Sequence, residues 1–320
     1  MHEAFPDLSP GELQRGVPLC GYSTLRIGGP ARYLATIRKA VYLPPLLDWS
    51  EAENIRRVII SEGSNILFPD SGFPGLVVQI LIPGIEQEGN EVTVGAGENL
   101  GSVIEWLNQR GLQGMERMYG IPGSLAGTVV GNAGAYGQEI GQVLTEATVL
   151  AADGRITSMP AAALDLDYRH SLFKQDRTLI LLNCRLRLDP GKGNLQEISD
   201  AVLKERSGKY PPGMKCPGSY FKNLKVEELD GDQLERIPTS FVMHGKIPAG
   251  KLLEAVGANG ARKGDAAIAS YHGNLIMNNG HATARDVVWL ARKYARRVQE
   301  RFGIRLEPEI RIIPEKGDRA

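Results

Sequence analysis

Residues 119–137 carry six glycines, the hydroxyls of Ser124 and Thr128, the amide of Asn132 and no charged side chain. Glycine admits positive φ angles that turn successive N–H groups to one side, so such a run can hold an anionic group by main chain alone. The expectation is an uninterrupted loop, burying no side chain of its own, against which a large and partly anionic ligand comes close. The bland alternative is a turn-rich connection, although loops of this length in compact domains are usually functional. Four other segments concentrate side-chain chemistry: residues 24–29 (Thr-Leu-Arg-Ile-Gly-Gly), 168–171 (Tyr-Arg-His-Ser), 218–223 (Gly-Ser-Tyr-Phe-Lys-Asn) and 306–311 (Leu-Glu-Pro-Glu-Ile-Arg). None is diagnostic by itself.

Two other motifs imitate nucleotide sites and fail on spacing. Gly95-Ala-Gly-Glu-Asn-Leu-Gly101 approaches a dinucleotide fingerprint, but its last glycine falls one residue late, and no strand ending in an acidic residue follows where the ribose would need one. Gly245-Lys-Ile-Pro-Ala-Gly-Lys-Leu252 copies a phosphate-binding loop until its final position, where Leu252 cannot ligate magnesium. Cys20, Cys184 and Cys216 are odd in number and widely spaced, which argues against a disulfide framework and against zinc; no metal site is expected. Cys216 has no paired base in the sequence and reads as a passive thiol.

The elements that must position these segments follow from periodicity. β-branched runs at 56–61 and 75–80 flank the turn-rich segment Glu62-Gly-Ser-Asn65, and a third strand begins at Val92. Leu100, Val103, Ile104 and Leu107 lie at helical spacing before Gly111, and strands are expected around 146–151 and 178–188. Beyond Asp189 the pattern turns helical, with Leu195, Ile198 and Val202 on one face. The last helix carries a stripe from Val287 to Phe302, opened by Thr283 with Asp286 and closed by Gly303; its Arg292, Lys293, Arg296 and Arg297 read as a solvated face. The fold class is therefore α+β, divided at 1–80, 81–190 and 191–320.

At 320 residues, with 42% hydrophobic and 23% charged residues, the chain can build a substantial core. Its 37 basic and 37 acidic residues cancel, so no global field draws it to nucleic acid or to a membrane surface. The amino terminus shows no basic leader with an apolar core and no run reaches the length of a membrane span. A cytoplasmic protein without membrane insertion is expected; its oligomeric state is not set by the sequence, a monomer being favoured.

Taken in order, residues 24–29, 61–65, 120–136, 168–171, 218–223 and 306–311 resemble the UDP-N-acetylenolpyruvoylglucosamine reductases, flavoenzymes of peptidoglycan precursor synthesis. The resemblance runs from about Tyr22 to Arg311. It implies an FAD-binding region of the vanillyl-alcohol-oxidase type in two α+β subdomains, followed by a domain that binds the UDP-sugar. It also implies that noncovalent FAD is held by Glu62, Gly63, Ser64, Asn65, Gly120, Ile121, Pro122, Gly123, Ser124, Gly127, Thr128, Asn132, Gly134, Ala135 and Tyr136. NADPH would be the reductant and UDP-N-acetylglucosamine enolpyruvate the substrate.

In the family's reaction hydride reaches the terminal alkene carbon and negative charge develops on the adjacent carbon and its carboxylate. The resemblance assigns Arg169 and Glu309 to polarising that carboxylate and Ser219 to protonating the carbon. A guanidinium can grip a carboxylate with two parallel bonds, whereas Glu309 helps only when protonated or bridged by water. Lys209, Asn223, His272 and Arg311 match substrate contacts. Only 50 positions separate Arg169 from Ser219, which resembles the shorter-loop class lacking a substrate-capping tyrosine. Ser23, Ser61, Ala126 and Thr128 depart from the family pattern. Alternatives are another FAD-dependent sugar or alcohol oxidase of the same fold, or a non-catalytic nucleotide-sugar-binding module.

Overall fold

The computed structural model describes residues 13–315; the reading of the amino terminus as leaderless falls outside them. The chain forms two compact units and passes between them five times: one takes residues up to 17 with 31–62 and 74–211, the other 18–30, 63–73 and 212 onward.

In the first unit β1 (Leu13–Pro18), β2 (Pro30–Ile37), β3 (Arg57–Ile60) and β4 (Phe73–Ile80) make a sheet of order β1-β2-β4-β3. β3 and β4 run parallel, with Val58 opposite Val77. Leu76, Val77 and Val78 are all buried, so both faces of β4 are covered and its sequence is a continuous apolar run rather than an alternation. Helix α1 (Leu43–Ala52) begins on a proline pair, where missing N–H groups cost nothing, and sends Leu43 and Leu46 into the core.

A second, antiparallel sheet of the same unit contains β5 (Ile85–Glu88), β6 (Glu91–Gly95), β7 (Leu144–Leu150), β8 (Ile156–Pro160) and β9 (Ile180–Arg187) in the order β8-β7-β9-β6-β5. The four helically spaced residues from Leu100 to Leu107 are buried on α2 (Leu100–Asn108), which Asn99 caps by accepting the Ser102 N–H at 3.2 Å. Cys184 is enclosed on β9, and burial pushes its thiol far up, so it is inert.

The run at 119–137 departs from the expected bare loop. Residues Leu125–Val130 form helix α3, and Leu125, Ala126, Thr128 and Val129 are buried. The apolar pattern was hidden because glycines occupy the turns of so short a helix. The run then closes in a hairpin pairing Gly134–Ala135 with Gln138–Glu139. Its turn residues, Tyr136 and Gly137, have φ of 51° and 83°, the mirror-image geometry that matches strand twist.

Helix α4 (Leu195–Lys209), capped by Asn194, also belongs to the first unit. Ser199 Oγ donates to the Glu116 carbonyl at 3.0 Å and accepts from Asn108 Nδ2 at 2.9 Å, pinning α4 to the stretch that leads into the glycine run.

The second unit packs α5 (Ala249–Ala255) and α6 (Ala284–Phe302) against a three-stranded sheet of β10 (Arg262–Lys263), β11 (Ala266–Ile268) and β12 (Ile276–Asn278). The stripe from Val287 to Phe302 is buried as its spacing requires, and Gly303 ends the helix at φ 74°. Residues Ile66–Leu67 pair in parallel with Arg311–Ile312. Among the described residues no helix is long and apolar enough to cross a membrane.

Thr283 Oγ1 accepts the Asp286 N–H at 3.1 Å, as the sequence suggests. The sequence does not reveal Asp70, whose carboxylate accepts from Ala284 N at 2.7 Å and Arg285 N at 3.1 Å. Asp70→Ala should therefore lower stability by about 0.5–2 kcal/mol, the usual range for a lost cap. Urea unfolding is the measurement, and Asp70→Asn, which keeps one good acceptor, should lose less.

Candidate active site

The glycine run lies in the first unit. Gly123 O accepts from Leu100 N at 3.0 Å, while Leu125 N and Ala126 N donate to Glu98 O at 2.8 Å and Ala96 O at 3.0 Å. The run is thus laced to the junction of β6 and α2. Asn99 Nδ2 bridges to both carboxylate oxygens of Glu62, at 3.1 and 3.2 Å, bringing Glu62 to the same place. The Gly95–Gly101 motif therefore supports the run instead of binding phosphate itself. An ideal Cβ on Gly95 would lie 2.5 Å from Ile82 O and one on Gly97 2.2 Å from the Leu81 carbonyl carbon, so these glycines serve close strand approach.

Inside the run Ser124 Oγ accepts the Gly127 N–H at 3.2 Å, and the Thr128 hydroxyl donates to Ser124 O at 3.0 Å. Both residues are buried, so these hydroxyls brace α3 from within. Gly127 is exposed between buried neighbours, and a Cβ there would meet only Ser124 Oγ, at 3.8 Å. Gly120 and Gly123 have φ of 79° and 122°. Gly127 is thus left open, whereas Gly120 is covered: a Cβ there would lie 2.9 Å from Leu203 Cδ1 and 3.4 Å from Arg206 Cδ. The Tyr119 hydroxyl donates to the Glu105 carboxylate, and that bond pushes its phenol up to about 12.

Residues 167–171 fold into a tight turn, with His170 N donating to Asp167 O at 3.0 Å. Asn132 spends its side chain holding this turn to the run: Nδ2 donates to Asp167 O at 3.0 Å and Oδ1 accepts from Gly141 N at 3.1 Å. Ser171 Oγ donates to Val130 O at 2.7 Å. Arg169 sits at φ 55°, a conformation that side chains avoid, with Lys174 Nζ donating to its carbonyl at 2.7 Å. Its Nη1 reaches Asn132 O at 3.4 Å. Strain of this kind persists where the surroundings over-determine it, as they do at functional turns. Lys209 ends α4, with Nζ 5.2 Å from the Tyr210 ring centre.

The second unit brings together Gly63, Ser64, Asn65, Ser219, Glu309 and Arg311. Glu309 N donates to Tyr220 O at 2.8 Å, Asn65 Nδ2 to Glu309 O at 3.1 Å, and Arg311 N to Asn65 O at 2.9 Å. Regular strand begins only at Arg311, so Glu309 is held by these bonds rather than by a strand ladder. Gly63, at φ 68°, comes so near Tyr22 that a Cβ would lie 1.9 Å from its carbonyl oxygen.

Asn274, buried and flanked by His272 and Gly273, aligns the serine segment. It accepts from Phe221 N at 2.9 Å and donates to Phe221 O at 2.8 Å, imitating a neighbouring strand. Tyr220 N donates to Asn274 O at 2.9 Å. His272 Nδ1 accepts from Asn274 N at 3.2 Å, and Asn223 Oδ1 accepts from Ala249 N at 3.1 Å. Cys216 donates to Gly218 O at 3.4 Å. Among the described residues no side chain or carbonyl accepts from Ser219 Oγ, and no group of three or more His, Cys, Asp or Glu residues could hold a metal.

A family described as "FAD binding domain" matches residues 35–159, and one described as "UDP-N-acetylenolpyruvoylglucosamine reductase, C-terminal domain" matches residues 211–313. A UDP-N-acetylenolpyruvoylglucosamine reductase of Solibacter usitatus is 38% identical over 92% of this chain and 95% of its own length. The chain belongs to the UDP-N-acetylenolpyruvoylglucosamine reductase family. The reductase of Bacillus subtilis is 30% identical over 95% of this chain and 94% of its own. A crystal structure of the reductase from Thermus caldophilus superposes with a TM-score of 0.73 at 31% identity, covering 94% of this chain and 99% of that one.

Within this reductase, Asn99 and Asn274 hold the candidate segments in place, and no motif marks either. Asn274 was in view beside His272, and its burial after a glycine is the signal that separates them. Asn274→Leu would leave a buried N–H and C=O of Phe221 unmet, at about 1–3 kcal/mol each. Denaturant unfolding should report that loss, with Asn274→Asp intermediate because it keeps the acceptor.

Proposed function

We propose that this reductase uses noncovalently bound FAD and NADPH to reduce UDP-N-acetylglucosamine enolpyruvate to UDP-N-acetylmuramate, acting in the cytoplasm. Family membership supports the activity. The glycine run, without charged residues of its own and exposed at Gly127, suits FAD, since main chain rather than a charged side chain would meet the cofactor. Ile121, Pro122, Ala135 and Tyr136 would flank the cofactor, and Glu62 to Asn65 would complete its contacts. When bound, FAD supplies hydride taken from NADPH.

The residues of the chain handle the charge and proton that accompany this hydride. Arg169 presents a planar fork suited to the substrate carboxylate, where negative charge accumulates. Glu309 stands on the segment joined to Tyr220, next to the serine, and acts with Arg169 on that carboxylate. Ser219 Oγ donates its proton to the carbon next to the carboxylate. Lys209, Asn223, His272 and Arg311 are assigned to substrate phosphate and sugar contacts. The observation that carries this reading is a half-buried serine hydroxyl without a protein acceptor, on a backbone fixed by Asn274 and by the Glu309 amide.

Ser219→Ala should leave flavin reduction by NADPH nearly normal and slow flavin reoxidation by the enolpyruvyl substrate by about 10²–10⁴-fold. Anaerobic half-reactions followed by flavin absorbance measure both, and equal losses in the two halves would contradict the proton-donor role. Arg169→Lys should slow the same oxidative half, because an ammonium cannot reproduce the paired bonds. Unchanged turnover in that variant would remove the carboxylate clamp from the mechanism.

A further inference from the structure

Glu116 is a buried carboxylate that no part of the proposed reaction uses. Both of its oxygens are held: Oε2 accepts from Gly114 N and Oε1 from Gln138 Nε2, each at 2.7 Å. Gln138 in turn accepts from Arg117 N at 2.7 Å through its Oε1. The two side chains thus form a closed bridge, across 22 residues of sequence, between two backbone donors. Each of those donors needs an acceptor, and the bridge between them needs one donor. One partner must therefore be a carboxylate and the other an amide.

The bridge joins the two arms of the glycine run. Glu116 and Arg117 lead into Gly120, Ile121 and Pro122, while Gln138 lies opposite Ala135 in the hairpin that carries Gly134, Ala135 and Tyr136. That hairpin pairs at two positions only, and its turn residues Tyr136 and Gly137 are exposed. So short a ribbon does not hold its own place. The Glu116 carbonyl, which accepts from Ser199 Oγ, ties the same joint to α4. Residues 114–139 fall within the first unit and within the stretch that matches the FAD-binding domain family. A ligand met by main chain depends on the spacing of that main chain, because no long side chain can adjust to make up an error.

We propose that Glu116 and Gln138 are positioning residues for the cofactor: their paired side chains fix the spacing of residues 120–122 and 134–136, and with it the affinity for FAD. This rests on the reading that those two segments hold the flavin nucleotide.

The test is titration of FAD into the deflavinated full-length protein, with quenching of flavin fluorescence giving Kd and urea unfolding confirming that each variant is folded. Glu116→Gln sets amide against amide, so that in any orientation one N–H faces another; FAD should bind about 10–100-fold more weakly, the equivalent of a buried donor left unmet. Gln138→Glu sets carboxylate against carboxylate and should lose a similar factor. In the double variant Glu116→Gln with Gln138→Glu the two groups trade places and all three bonds can re-form. Its affinity should return to within about threefold of the wild type, far from the product of the two single losses. Gln138→Ala opens the bridge from its half-buried side and decides the matter if Glu116→Gln does not fold; it should also weaken FAD, by about 10-fold. Wild-type affinity in Gln138→Ala or in folded Glu116→Gln overturns the proposal, as does a folded double variant that loses as much as the single losses multiplied. If the wild type itself takes up no FAD, the cofactor reading fails instead.

Discussion

The second unit depends on main chain packed directly against main chain. Residues 18–30 and 63–73 enter it as short excursions that bury Leu19, Leu25, Leu67 and Phe68 and, at their glycines, bring backbone against backbone. A Cβ on Gly29 would lie 2.3 Å from Asp70 O, one on Gly72 2.0 Å from Pro30 O, and one on Gly63 1.9 Å from Tyr22 O. At such distances no side chain can intervene, and hydrogen bonds take over: Gly29 N to Pro69 O and Thr24 N to Gly63 O. From that scaffold Asp70 reaches α6 and Asn65 reaches Glu309. The glycines of residues 24–29 and 61–65 thus do their work by having no side chain, as do Gly95 and Gly97 in the first unit.

Much of the fold could be read from the sequence where local chemistry and tertiary need coincide. The spacing of Leu100 to Leu107, the stripe ending at Phe302 and the Thr283–Asp286 pair each announce an element that forms as written, since capping and amphipathicity are local properties. Helix α3 was concealed, because glycines break its pattern while Ser124 and packing of Leu125 and Val129 impose it from outside. The parallel pairing of Ile66–Leu67 with Arg311–Ile312 joins residues far apart in the chain and leaves no periodic trace.

The site shows the same division. Arg169, Ser219 and Glu309 stand within short motifs, and their proposed roles come from family resemblance. Their supports have no such mark. Asn99 looked like the failure of a nucleotide fingerprint, yet it ties Glu62 to the run; Asn274 looked like a spacer beside a histidine, yet it holds both polar groups of Phe221. Such residues act through main-chain partners remote in sequence, and a hydrogen bond to a peptide group places no demand on the identity of the residue that owns it.

The five passages of the chain between the units set an order of assembly. During synthesis, Asn65 emerges long before Glu309, 244 residues later, and Asp70 waits 214 residues for the first amide of α6. The first unit can complete its sheets while those early segments remain unsatisfied, whereas the second must wait for α6 and Glu309. Contacts this distant in sequence are slow to form and leave early segments exposed. The serine and glutamate segments are therefore aligned only after the first unit's residues have all been made, and the Glu309–Tyr220 bond forms late in folding.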